Sequence, residues 1–380
     1  MARINAFLSD TCNSVPRAYS LLGRCFRRTH GRSLMINTLR LLLAAAVTAL
    51  ALFGAGLPAV HAQDFKLKVG NPWPNKHPAT EAMNELFADI KARSGGRMQL
   101  EMIHLDAIGF KQADLLRVVR QNVVDIVLFA PYYVARDAPK LANVAPSGAL
   151  IEPDDNWKIE KVQRAYAEKV LKADWDMVMP MRFFNRGGQY LIIVSRTPVN
   201  TLAGLKGKKT RHFERPGLKA MDSLGIPAQT IPQAELYVAL KTGVVDAAVH
   251  GITNAASQSI NEVSCCFSVF TPFTAFGAPY GFVMRSDQWA KIPEDIRKAM
   301  RDASEADWQK GLAVWRAGDD DRKAEQKLKA GGMKEEPPFS VADRQALQKA
   351  VFNVWREDSE KLGPDALEMF KEAAAALGVK

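Results

Sequence analysis

Residues 234–251 read AELYVALKTGVVDAAVHG, a short helix running into a buried strand, and the chain carries this pattern twice. Residues 113–130 read ADLLRVVRQNVVDIVLFA. At an offset of 121 positions, Ala113 meets Ala234, Leu115 meets Leu236, and Val123-Val124-Asp125 meets Val244-Val245-Asp246. Asn122 falls opposite Gly243. A helix–strand unit present once in each half implies two similar halves, each nucleating its own sheet.

Working outward from the first copy, DFKLKVGNPWP is an alternating strand that breaks at Asn71–Pro74. A helix is expected from about Pro78 to Ser94, closed by Gly95-Gly96, and GRMQLEMIH is a second strand. The first repeat then gives a helix from about Lys111 to Gln121 and the strand VVDIVLFA, which has too few polar residues for one exposed face. After a helix near 154–173, DMVMPMRFF, GGQYLIIVS and KKTRHF read as strands before the second repeat. Strands alternating with helices predict an α/β fold with mostly parallel sheets flanked by helices, and 380 residues are enough for two lobes.

The tail has a different rhythm. Pro293, Glu294 and Asp295 form a good helix start, and apolar residues recur at helical spacing through Trp308 and Leu312 towards Leu328, before Gly331-Gly332. At about 1.5 Å per residue this run makes a helix of roughly 50 Å, long enough to strap two lobes together. The acids Asp319 to Asp321 would point in different directions on it and form a solvated face. Ser340 with Asp343, and then Pro364, mark two further helix starts.

Residues 1–62 are set apart by seven arginines, no lysine and one acid. From Met35, a basic start, an apolar stretch and the small residues Val60 and Ala62 form the pattern of a secretory signal cut before Gln63. Met35 is the expected true start, and residues 1–34 are a basic leader or an upstream extension. Removing seven of 51 basic and one of 41 acidic residues leaves a net charge of +4, which removes the case for nucleic acid as a partner. Only Cys265 and Cys266 remain, and two buried thiols are favoured over a vicinal disulfide.

In open parallel sheets, ligands bind beyond the carboxyl ends of the strands. The residues there are Asn71 and Trp73, then Pro131 and Tyr132, then Arg211 and Phe213, and His250. They offer aromatics, an imidazole and a guanidinium whose rigid fork matches a carboxylate. On spacing alone, Arg211 could equally serve a surface or interlobe salt bridge, while His250 and Trp73 could be core residues. The chain contains no G-x-S-x-G, H-E-x-x-H, G-x-x-x-x-G-K-[ST] or G-x-G-x-x-G, so no hydrolase, metalloprotease or nucleotide-binding motif supports an enzyme, a metal or a cofactor.

Three ordered stretches carry a family resemblance: SRTPVNTLAGLKGKKTR, PQAELYVALKTGVVDA and DQWAKIPEDIRKAM. Over residues 64–380 the chain resembles the extracytoplasmic solute-binding proteins of TRAP transporters, the DctP-like family. The resemblance implies a two-lobe periplasmic solute-binding fold with mixed, mostly parallel sheets, hinge strands and a long lobe-spanning helix. Lobe I would take residues 63–187 and about 275–312, and lobe II residues 188–274 and about 313–380. It also implies that Arg211 holds the ligand's carboxylate. Two positions depart from the family's pattern: His250 stands where a polar residue, often asparagine, is usual, and Tyr190 stands where a second arginine is common. A small organic acid with one dominant carboxylate is therefore expected, contacted by Arg211, His250, Tyr190, Trp73, Tyr132, Phe213 and Asn71. The implied protein is a periplasmic monomer that delivers the acid to a membrane permease and needs no cofactor. The alternative is a ligand-sensing protein that presents its bound form to a receptor.

Overall fold

A computed structural model describes residues 65–379 apart from 145, 187 and 274–279; the expected leader lies outside the described residues. The strands form two mixed sheets. The first has the order β2 (Met98–His104), β1 (Phe65–Asn71), β3 (Ile126–Phe129), β10 (Gly281–Arg285), β4 (Met177–Arg182). The second has the order β11 (Lys334–Glu335), β9 (Cys266–Pro272), β5 (Tyr190–Ser195), β8 (Ala247–Gly251), β6 (Thr210–His212), β7 (Ala228–Thr230). The helices used below are α1 (Pro78–Arg93), α2 (Leu115–Arg120), α3 (Asp155–Trp175), α4 (Arg215–Ser223), α5 (Leu236–Thr242), α6 (Ile252–Ser257), α7 (Glu294–Ala317), α8 (Asp319–Ala330), α9 (Val341–Leu362) and α10 (Pro364–Ala376).

The repeated unit does the same work in both sheets. Asn122 (φ 57°) and Gly243 (φ 74°) take the left-handed conformation that ends α2 and α5, and these are the two residue types that tolerate it best. Three residues later, Asp125 accepts a hydrogen bond from Lys68 N–H at 2.7 Å, while its own N–H donates to Lys68 O at 3.0 Å. Asp246 accepts from Lys209 N–H at 3.0 Å and donates to Lys209 O at 2.7 Å. Each aspartate fixes the register of its strand against a parallel neighbour, β3 against β1 and β8 against β6. Both β3 and β8 are buried along their whole length.

In each sheet, the strand arriving from the other sheet inserts antiparallel beside this central strand. β10 pairs with β3, and β5 pairs with β8. One apolar core runs through both sheets and includes Val69, Phe129, Ile193 and Val249, while Ile192, Val194, Leu240, Phe267 and Leu328 form a separate core on the far face of the second sheet.

The helical tail differs from the single rod expected from its periodicity. Gly318, at φ 66°, breaks it into α7 and α8. α7 packs on α1 and β4 beside the first sheet, and α8 packs on α6 beside the second. The break also reassigns Asp321, which is not solvated: its two carboxylate oxygens accept the Gln189 N–H at 3.0 and 2.9 Å, because the acids now sit at a helix start facing the segment between β4 and β5. Burial lifts the Asp321 carboxyl to about 6. Cys265 and Cys266 are also corrected, from two buried thiols to a vicinal disulfide. The chain entering β9 leaves Cys265 exposed while Cys266 turns into the core.

Gly311 allows α7 to lie against Phe184 in the segment that joins the sheets. A Cβ at this position would stand 2.6 Å from both Cβ and Cγ of that buried ring. Alanine gains up to about 1 kcal/mol in helix propensity but meets an overpacking cost of about 1–3 kcal/mol. Gly311→Ala is therefore expected to lower the denaturant midpoint of unfolding at an unchanged slope, and a raised midpoint would show that the two elements do not pack closely.

Candidate ligand-binding site

The carboxyl ends of β1 and β3 face those of β6 and β8 across a small cavity. Its volume is about 20 Å³, room for about one water-sized group. Trp73, Tyr132 and Tyr133 line it from the first sheet, and Arg211, Phe213, Gln233, His250 and Asn254 from the second. A roomier groove of about 320 Å³ lies between Pro139 and Arg215, but its Lys219 is already ion-paired with Asp358 at 2.6 Å.

Arg211 is the centre of the cavity. It is only 1% exposed. Its Nε donates to Ile231 O and one terminal nitrogen donates to Val249 O, both at 3.0 Å, so the guanidinium is held between β7's following turn and β8. Its carbon lies 5.6 Å from the Phe213 ring. Among the described residues no carboxylate pairs with it. Burial pushes its pKa down to about 10, which leaves it charged at neutral pH. A buried cation without a counter-charge is costly, so this geometry calls for an anion.

The walls are aromatic and neutral. Trp73 stacks on His77 with centroids 4.4 Å apart, and its Nε1 donates to Tyr133 Oη at 3.3 Å. Tyr133 in turn donates to Gln233 Oε1 at 3.5 Å. Tyr132 hydrogen-bonds Tyr280 through the hydroxyls and packs edge-on to Phe213, 5.2 Å between centroids. Burial raises the pKa of both Tyr132 and Tyr133, so they remain hydroxyl donors. His250 is 2% exposed, and burial together with the Arg211 charge holds its pKa well below the ordinary histidine value. Two buried polar atoms of the lining, Gln233 Nε2 and Asn254 Oδ1, have no hydrogen-bond partner among the described residues, while the His250 ring has the Gln258 side chain beside it as a partner.

Of the residues expected from sequence, Trp73, Tyr132, Arg211, Phe213 and His250 therefore come together. Asn71 does not line the cavity. Its Oδ1 accepts the Trp73 N–H at 3.0 Å and its Nδ2 donates to Thr80 Oγ1 at 3.2 Å, so it shapes the turn that presents Trp73. Tyr190 also lies outside. Leu191 pairs with Gly251 at the cavity, and side chains alternate along β5, which turns the neighbouring Tyr190 to the opposite face, towards the charges of Asp321 and Arg344. Tyr133, Gln233 and Asn254 were not anticipated. Gln233 had a signal, since it stands 121 positions after Gln112, the offset of the repeat.

The family model for DctP, bacterial extracellular solute-binding protein family 7, matches residues 69–361. The chain belongs to this family. Its relatives include the C4-dicarboxylate-binding periplasmic protein DctP of Rhodobacter capsulatus, 25% identical over 282 residues, which cover 73% of this chain and 77% of that protein. The fold is shared with DctP7 of Bordetella pertussis, an extracytoplasmic solute receptor binding pyroglutamic acid, at 18% identity and a TM-score of 0.68 over 81% of this chain and 99% of that one. It is likewise shared with a TRAP periplasmic solute-binding protein of Rhodoferax ferrireducens with bound malonate, at 20% identity and a TM-score of 0.69 over 82% of this chain and 98% of that one. The family 7 fold thus accounts for the two mixed sheets.

Directly behind the cavity, Glu214 is buried and accepts the Ser147 N–H through Oε1. Burial raises its pKa from 4.5 to about 8. The folded protein then holds a proton that the unfolded chain has lost, so this group's contribution to stability falls as pH rises from about 4.5 to about 8 and levels off above. Glu214→Gln removes that slope. In thermal unfolding between pH 5 and 8, the stability of the variant relative to wild type should rise with pH, and a constant difference would show that Glu214 is ionised in the folded protein.

Proposed function

We propose that this protein is the extracytoplasmic binding subunit of a TRAP-type transporter, which captures a small organic carboxylate between two lobes and delivers it to a membrane permease. The single observation that carries this reading is the buried, uncountered guanidinium of Arg211. Two of its five N–H groups are held by backbone carbonyls, which leaves three for a ligand. The relatives named above fit: C4-dicarboxylates, pyroglutamic acid and malonate are all carboxylates.

The mechanism is capture without conversion. With Arg211 this deeply enclosed, a ligand enters only when the walls part. We assign the moving bodies to residues 63–187 with about 275–312, and 188–274 with about 313–380, joined by the segments that pass between the sheets. Closure removes water from around the ion pair and strengthens it, since charges interact more strongly at low dielectric. Trp73, Tyr132, Phe213 and His250 then cover the bound acid. The N-terminal 62 residues would direct export, and among the described residues no helix is long and apolar enough to cross a membrane. The permease supplies the energy for uptake, so this subunit carries out no reaction.

Arg211→Ala removes the charge and the fork. It should weaken binding of the native acid by at least 100-fold in calorimetric titration, corresponding to about 2.7 kcal/mol. Arg211→Lys keeps the charge without the two parallel bonds and should fall between the two. Wild-type affinity in a folded Arg211→Ala protein would contradict the assignment.

A further inference from the structure

The cavity has one formal charge and several neutral polar groups, and this asymmetry describes the other end of the ligand. Among the described residues, Arg211 is the only one lining the cavity that carries a charge at neutral pH. The neutral polar groups come from three different places, Gln233 from the turn before α5, His250 from the end of β8 and Asn254 from the first turn of α6, and among the described residues Gln233 Nε2 and Asn254 Oδ1 have no partner. All three residues are buried, at 4%, 2% and 6% exposure. Gln233 is oriented, because Tyr133 donates to its Oε1 and leaves Nε2 free to donate. Buried polar atoms left unpaired are costly, so two at one site mark the place of a hydrogen-bonding partner.

We propose that the ligand's tail is uncharged and hydrogen-bonding, so that the protein prefers small monocarboxylic acids bearing hydroxyl, oxo or amide groups, and that Gln233, His250 and Asn254 set this preference. The inference rests on Arg211 being the carboxylate receptor. A second carboxylate would enter a narrow, aromatic-walled site whose only cation among the described residues is already paired. His250 cannot supply a second charge, since both its burial and the neighbouring Arg211 keep it neutral, and His77 behind Trp73 is held neutral by burial at a pKa of about 3. A plain aliphatic acid would satisfy Arg211 but leave Gln233 Nε2 and Asn254 Oδ1 unpaired. Selection therefore acts against both extra charge and missing polarity.

The test is calorimetric titration of the purified protein with two matched series. The three-carbon series is lactate, pyruvate, propionate and malonate, and the six-carbon series is gluconate, hexanoate and adipate. In the series that fits, the hydroxy or oxo acid should bind at least tenfold more tightly than both the plain acid and the dicarboxylate. The double substitution Gln233→Leu and Asn254→Leu should weaken the polar acid at least tenfold and remove its advantage over the plain acid. A dicarboxylate or plain acid that binds as tightly as the polar acid, with binding lost in Arg211→Ala, overturns the inference while the Arg211 assignment stands. No binding of any acid in either series, or binding that persists in Arg211→Ala, overturns both. The wild-type ranking decides the question even if the double variant fails to fold.

Discussion

A guanidinium buried with no counter-charge among the described residues is the constraint on which the rest of this structure depends. A lone charge in a dry interior is among the most costly things a fold can contain, and proteins normally pair it or expose it. Here Arg211 is instead held by two backbone carbonyls, Ile231 O and Val249 O, which fix its direction without neutralising it. The surrounding aromatic walls lower the local dielectric and so sharpen the demand for an anion. In the capture mechanism proposed above, that cost is what would couple binding to closure.

The architecture that holds the guanidinium follows from a local rule applied twice. Asp125 and Asp246 each close a two-way hydrogen bond with a lysine backbone on the neighbouring parallel strand, and Asn122 and Gly243 each supply the left-handed turn before it. Both central strands are thereby set in register, and their carboxyl ends become opposite walls of one cavity. The antiparallel insertion of β10 and β5 beside those strands ties the two sheets into one unit. Gly318 then bends the tail so that α7 serves one sheet and α8 the other.

Much of this was legible in the sequence, and the exceptions have physical causes. The repeat, the strand alternation and the rule about strand ends were enough to bring Arg211, Phe213, Trp73, Tyr132 and His250 to one place. Asn71 lay one step too early: a short amide beside a turn serves its own backbone before it reaches a ligand. Tyr190 failed through a one-residue phase, because the face of a strand flips with each position and β5 begins at the cavity with Leu191. The single long helix was predicted from apolar spacing, which continues across Gly318 and so hides the break. Asp321 was misread for the same reason. Gln233 and Asn254 come from loops and a short helix whose course only the folded chain determines, and their unpaired atoms have no signature in the sequence at all. Strands β9 and β10 were also unread, since their partners lie far away along the chain.

The most direct measurement is a crystal structure of the protein with a tightly binding acid. One carboxylate is expected against Arg211, with both of its oxygens within hydrogen-bond reach of the guanidinium and the two sheets' facing strand ends drawn over it. A ligand whose carboxylate sits elsewhere, with Arg211 paired to an acidic side chain of the protein, would contradict it.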